Sequence, residues 1–300
     1  ARTLAVEARI PVGGAPGHAS MSADGRHLAV MNEASSSVSF VDPVRNVEVR
    51  RVEGFYAPHF ARFSRDGRYA FVANLAAHHI SRVDLRTYAI DQEIPLDGFG
   101  LPPTTPLLED EDGFADVQID EDGLLYAAHG HTSRVLVYDT RVGAKVRELG
   151  VGLRPWVVYA EHPFRGIGRH LVPSFDDQSV TLIDRTTFRT EALPRVADRQ
   201  SYGVNYSPLA PGRAFVMNRI RRDIAVLDTD TGTAVKSIPV GGTTETASTT
   251  ADGRFIVATV SSENRVAVID AATATLVKTL DGVGAYPWSI TVPQGQNYCH

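Results

Sequence analysis

The chain has 300 residues, 43% of them hydrophobic and 22% charged, a composition that suits one large globular core or two smaller ones. A net charge of −5 gives no general attraction to nucleic acid or to an anionic membrane, and no apolar run reaches the roughly 18 residues a membrane span requires. The single cysteine, Cys299, excludes an internal disulfide framework.

The chain begins at Ala1 without a charged, apolar, small-residue leader. The missing initiator Met fits a processed periplasmic or secreted protein, and a cytoplasmic location stays open. Residues 4–14, "LAVEARIPVGG", read as one alternating strand. Residues 22–52 ("SADGRHLAVMN…SVSFVDPVRNVEVRRV") then predict three strands. These are an apolar strand after an Asp-Gly turn, an alternating strand ending in Asp, and a further alternating strand. Residues 64–94 and 250–280 repeat the pattern, and the closing Asp recurs as Asp42, Asp84, Asp139, Asp184, Asp228 and Asp270. Their spacings are 42, 55, 45, 44 and 42 residues.

No helical periodicity of useful length interrupts this series. A repeat of about 40–45 residues carrying four strands has the period of a propeller blade. The fold expected is therefore all-β, a seven-bladed β-propeller with four-stranded antiparallel blades, forming a single domain over residues 1–300. Residues 287–300 supply the opening strands of the seventh blade, and residues 4–14 its last strand. Pairing the two ends closes the ring and removes exposed sheet edges.

On these residues the chain resembles the YVTN-type β-propellers, whose pattern is matched by "SRDGRYAFVAN" (64–74), "VAVID" (266–270) and "KSIPVGG" (236–242). The likeness runs over nearly the whole chain and is specific for architecture. Proteins similar in this way include the d1-haem domains of cytochrome cd1 nitrite reductases, the propeller of nitrous oxide reductase, lactonase-like and lyase-like enzymes, and scaffolds. The resemblance implies a ligand site on the face that carries the start of strand one and the turn between strands two and three. Fold alone does not choose among these functions.

Around that face the starts of strand one read Gly17-His18, His59, Ala115-Asp116, Trp156, Tyr202, Glu245 and Trp288. So many large functional side chains favour a binding site over a channel mouth plugged only by aromatic residues. The turns between strands two and three include "NEASSS" (32–37), "NLAAHH" (74–79), "HGHTSR" (129–134) and "NRIRRD" (218–223). His129 and His131 therefore share a face with His18 and His59. The His-x-His spacing lets two imidazoles approach one ion, and four imidazoles suit copper, zinc or non-haem iron. His78 and His79 are expected at the rim, while His27, His162 and His170 fall near the opposite face and read as structural. The basic group Arg219, Arg221 and Arg222 reads as a solvated loop.

The insertion "DGFGLPPTTPLLEDEDGFAD" (97–116) stretches the repeat by about 13 residues and is a candidate lid, with Asp116 placed to enter the mouth. "NYCH" (297–300) has Gln296 where a haem-attachment motif has its first cysteine, so that motif is absent; Tyr298 and Cys299 are expected to pack inside the closing blade, and noncovalent haem with a His ligand stays open.

Three functions follow. The first is a metal or noncovalent haem centre at His18, His59, His129 and His131, serving binding or redox chemistry with a small-molecule ligand and a redox protein partner. The second is a metal-free lyase, lactonase or condensation enzyme. There His59, Asp116, Tyr202 and Glu245 move protons while Trp156, Trp288 and Tyr202 clamp the substrate. The third is a protein-interaction scaffold.

Overall fold

The computed structural model of the chain describes residues 8–100, 112–160, 168–198, 200, 201, 203–290 and 292. Within them the protein is all-β, with six antiparallel sheets and two single 3-10 turns, Glu33–Ser35 and Ser261–Glu263. The first sheet comprises β1 (Pro16–Met21), β2 (Leu28–Asn32), β3 (Ser37–Asp42) and β4 (Val47–Glu53). The second comprises β5 (Pro58–Phe63), β6 (Tyr69–Asn74), β7 (His79–Asp84) and β8 (Ala89–Pro95). The third comprises β9 (Gln118–Ile119), β10 (Leu124–His129), β11 (Arg134–Asp139) and β12 (Ala144–Gly150). The fourth has β13 (Arg169–Pro173), β14 (Val180–Asp184) and β15 (Thr190–Leu193). The fifth has β16 (Val204–Tyr206), β17 (Arg213–Asn218), β18 (Asp223–Asp228) and β19 (Thr233–Pro239). The sixth has β20 (Thr244–Thr249), β21 (Phe255–Val260), β22 (Arg265–Asp270) and β23 (Thr275–Asp281). In every sheet the strands are neighbours in chain order, so each is a meander.

The sequence pattern explains this regularity. In the Ser/Thr-x-Asp-Gly turns, the hydroxyls of Ser22, Ser64 and Thr250 donate to Asp24, Asp66 and Asp252 at 2.6–2.7 Å. The same hydroxyls accept the backbone N–H of His27, Tyr69 and Phe255. Gly25, Gly67 and Gly253 take φ of 68°, 67° and 72°, a region that suits glycine. At the end of the next-to-last strand of each sheet, the recurring Asp folds the next turn onto its own carboxylate. Asp42 accepts from the N–H of Val44 and Arg45, Asp184 from Thr186 and Thr187, and Asp228 from Asp230 and Thr231. These are Asx-turns, in which a short carboxylate replaces a backbone acceptor.

Two expectations change. The fourth sheet has three strands, because residues 155–159 pair with it through isolated bridges, Pro155 to Ser174 and Tyr159 to Leu171, and not through a ladder. Pro155 has no N–H to continue a ladder. Residues 8–14 and 287–290 carry no strand, and the rest of both proposed terminal strands lies outside the described residues. Residues 287–290 nonetheless lie along the sixth sheet. The hydroxyls of Thr246, Ser248 and Ser261 donate to the carbonyls of Trp288, Ile290 and Pro287.

The chain forms two compact units, one of residues 1–119, 123–131 and 136–148, the other of the remainder. In the first, Phe71, Ile80, Leu125, Leu136 and Tyr138 form one buried cluster drawn from the second and third sheets. In the second, Val180, Leu182, Val204, Val216 and Leu227 join the fourth and fifth, while Ile224, Ile256 and Ile269 join the fifth and sixth. No helix among the described residues is long and apolar enough to cross a membrane.

Candidate functional site

The start of strand one is irregular in a repeated way. Pro16 pairs with Asn32 and His18 with Met31, leaving Gly17 as an extra residue. Pro58 pairs with Asn74 and Phe60 with Ala73, leaving His59 in the same role. Thr244 pairs with Val260 and Ala247 with Ala258, placing Glu245 and Thr246 in the slip. A β-bulge re-aims the side chain it carries, which is why the residue type here varies from sheet to sheet while the strand persists. Two residues before the first two bulges the backbone is strained as well. Ala15 and Ala57 have φ of 49° and 46°, where a non-glycine residue costs about 1–2 kcal/mol. The carbonyls of Ala15 and Ala57 accept the N–H of Glu33 and Leu75, so the strained turn is tied to the end of strand two.

This geometry brings His18, His59 and Glu33 together in the first unit. The imidazole centroids of His18 and His59 are 4.4 Å apart at 45°. Glu33 Oε1 lies 3.7 Å from His18 Nδ1 and 4.0 Å from His59 Nε2. The three side chains each offer a ligand atom within 4.8 Å of the others, the one such group of three or more among the described residues. His59 Nδ1 is 2.8 Å from the carbonyl of Ala115. A carbonyl only accepts, so Nδ1 carries the proton and Nε2 turns a lone pair toward Glu33. Burial, helped by His18 and opposed by the Ala115 carbonyl, holds the imidazole down to about 4, so it is neutral at neutral pH.

Sequence reasoning reached the two histidines and missed Glu33. The cue was present, since Glu33 lies in the 32–37 turn assigned to the same face. The expected fourfold cluster does not form as one group. His129 ends β10, at the position Asn32, Asn74 and Asn218 hold in other sheets, and is fully buried. Its Nε2 is 3.0 Å from His78 Nδ1, with Phe114 edge-on at 4.8 Å, while His131 lies 6.4 Å from His78 between ring centroids. His78 and His79 are not rim residues. Phe99 stacks on His78 at 3.9 Å, and β7 already begins at His79, whose ring is enclosed by Tyr56 at 5.5 Å. His79 Nε2 stands 3.3 Å from Glu93 Oε2. Burial drives His79 down to about 4 and Glu93 up to about 7.

Asp116 is enclosed and accepts from Gln118 Nε2 at 2.6 Å, while Arg62 grips the Gln118 carbonyl oxygen at 2.8 Å. Burial pushes the Asp116 carboxyl up to about 7, against the pull of Arg62 and Gln118. Residues 101–111 of the insertion lie outside the described residues; its end docks through Gly113 N–H to the Leu75 carbonyl at 2.7 Å.

In the second unit, Glu245 is fully buried, 2.9 Å from Arg219 Nε, and accepts from the Tyr286 hydroxyl at 3.2 Å. Burial raises its carboxyl and Arg219 offsets this. Arg219 therefore serves as the partner of a buried carboxylate instead of a solvated loop residue, and its guanidinium covers Trp288 at 5.6 Å. Trp156 stands 6.3 Å from Phe175. Tyr202, His162 and "NYCH" lie outside the described residues. His170 is buried 3.5 Å from Asp120, and His27 lies against Phe63 and Tyr88.

No protein family's sequence model matches this chain, and no curated protein is detectably similar to it in sequence. Solved structures are similar in fold. Hydrazine synthase of Kuenenia stuttgartiensis matches with a TM-score of 0.65 and 16% identity, over 93% of this chain and 89% of that one. The dihydro-heme d1 dehydrogenase NirN in complex with DHE matches with a TM-score of 0.55 and 17% identity, over 88% of this chain and 66% of that one. These likenesses support a β-propeller-like fold.

Proposed function

We propose that the protein is a propeller whose working centre is a metal ion held by His18 Nδ1, His59 Nε2 and the Glu33 carboxylate, serving small-molecule binding or redox chemistry. The observation that carries this reading is the convergence of three ligand atoms, with no proton required at His59 Nε2. A lone pair facing a carboxylate oxygen repels it unless a cation or a shared proton lies between. Two imidazoles and one carboxylate suit zinc or non-haem iron and leave positions open for an exogenous ligand. The Ala115 carbonyl on His59 Nδ1 is the support that orients a metal-bound imidazole. Copper is less well matched once a carboxylate joins the set. Imidazole rings 4.4 Å apart leave no room for a haem between them, so noncovalent haem would use at most one of the two.

The names of the two structural neighbours, a synthase of hydrazine and a dehydrogenase of dihydro-heme d1, support a redox role with a small-molecule substrate and, through it, a redox protein partner. The same reading takes the chain as one seven-bladed domain closed by its terminal strands, in a periplasmic or secreted setting. Residues 287–290 along the sixth sheet support a seventh blade. A second reading rests on Asp116. A buried carboxyl titrating near 7 is poised for acid–base catalysis of a lyase or lactonase type.

Metal analysis of the untreated protein and titration of the stripped protein test the first reading. His59→Ala is expected to weaken zinc or ferrous binding by at least about 10-fold, and His27→Ala to leave it unchanged. Equal losses in both, or none in His59→Ala, would overturn it.

A further inference from the structure

We propose that Gly17 is the residue that makes this centre a two-histidine, one-carboxylate site, and so selects oxygen-accepting divalent ions such as zinc and ferrous iron over cuprous copper. The proposal rests on the metal reading above and adds to it a determinant of metal class. At the bulge position the second sheet carries His59 and the sixth carries Glu245, whereas the first carries glycine. A Cβ at Gly17 would stand 2.6 Å from Glu33 Oε1, 3.2 Å from its Cδ and 3.8 Å from its Cγ. The Glu33 carboxylate thus occupies the volume that a side chain fills at this position elsewhere. Oε1 is also the atom that faces both His18 and His59.

Glycine here answers to space and not to backbone. Gly17 is absent from the residues of positive φ, so alanine can adopt its conformation. The three atoms nearest an added methyl belong to one flexible, partly exposed side chain. Alanine is therefore accommodated by displacing the carboxylate, without disturbing β1. What remains is a pair of imidazoles, a softer donor set suited to cuprous copper. Gly17 acts through Glu33, as a positioning residue.

The test compares the unchanged protein with Gly17→Ala, Glu33→Gln, the double variant, and Gly150→Ala, a site where a Cβ meets nothing within 4 Å. Zinc and cuprous affinities are measured by chelator competition, with melting curves recorded alongside. Gly17→Ala and Glu33→Gln are each expected to weaken zinc about 10- to 100-fold, with cuprous affinity held within about 3-fold. The double variant is expected to lose no more zinc affinity than Glu33→Gln alone, because both changes remove one interaction. Gly150→Ala should bind as the unchanged protein does.

Unchanged zinc affinity in Gly17→Ala, or losses that multiply in the double variant, would overturn this inference and leave the metal reading standing. An unchanged protein that binds neither ion would overturn the metal reading itself. Should Gly17→Ala fail to fold, the isosteric Glu33→Gln decides: equal weakening of zinc and cuprous binding would sink the proposed selectivity.

Discussion

Glu93 is a partly buried carboxyl beside the His79 imidazole, and its protonation is set by burial more than by charge. Its folded value is raised from 4.5 to about 7, so the folded chain holds this proton more tightly than the unfolded chain. The stability it contributes is complete below about 4.5 and is lost as pH rises through about 7. His79 has the opposite slope. Its value falls from 6.5 to about 4, so its contribution is present above 6.5 and lost as pH drops through about 4. Glu93→Gln removes only the first slope. The melting temperature of that variant relative to the unchanged protein is expected to rise between pH 5 and pH 8, and thermal denaturation at the two values checks it. At the same scale, His129 shows how a residue type can mislead. In the sequence it looked like half of a ligand pair in a turn. In the fold it takes the place that asparagine holds in other sheets and is spent on a buried contact with His78.

At the scale of elements, the Asx-turns that lead into the last strand of each sheet are the repeated joints of the molecule. Asp184 accepts the N–H of Thr186 and Thr187 and the Thr187 hydroxyl, all at 2.7–3.0 Å. Asp184→Ala leaves these donors to water and is expected to cost about 1 kcal/mol. Asp184→Asn keeps the acceptor oxygen and is expected to cost less than half of that. Urea unfolding of both variants compares them, and equal losses would show that charge, not turn geometry, carries the effect. The strand-one bulges have the complementary role. The turns make each meander form, while the strand-one bulges of the first, second and sixth sheets break the regular alternation at one point each. The side-chain type therefore varies at Gly17, His59 and Glu245 while the rest of each ladder keeps its register.

For the whole molecule, these turn carboxylates act together. Side-chain bonds from Arg86 and Arg141 hold Asp84 and Asp139 below their ordinary value, and backbone bonds from Thr187, Thr231 and Thr273 do the same for Asp184, Asp228 and Asp270. Hydroxyls of Ser22, Ser64 and Thr250 lower Asp24, Asp66 and Asp252. A depressed folded value gives stability that is present above the unfolded value of 3.8 and is lost as pH falls through the lower folded values. The contribution of each exposed group is small, but they titrate in one window across both units. The melting temperature is therefore expected to fall steeply below about pH 4, and a melting series from pH 5 to pH 2.5 checks this.

The repeat itself was legible in the sequence because its signals are local. Asp-Gly turns, the closing aspartates and period-two alternation act within a few residues, and the meanders they specify were read in their correct order. The strand-one starts of the first two sheets were also legible, and His18 and His59 were named from them, but nothing in the sequence announced the bulges. Tertiary structure alone decided which of these side chains meet. Glu33 joins the two histidines because Gly17, on another strand, leaves it room, and the spacing of one strand carries no record of the empty volume beside its neighbour. Burial of His78 and His79 likewise depends on Phe99 and Tyr56 arriving from elsewhere in the chain. Local hydrogen bonding sets the elements, whereas site chemistry depends on packing between residues distant in sequence.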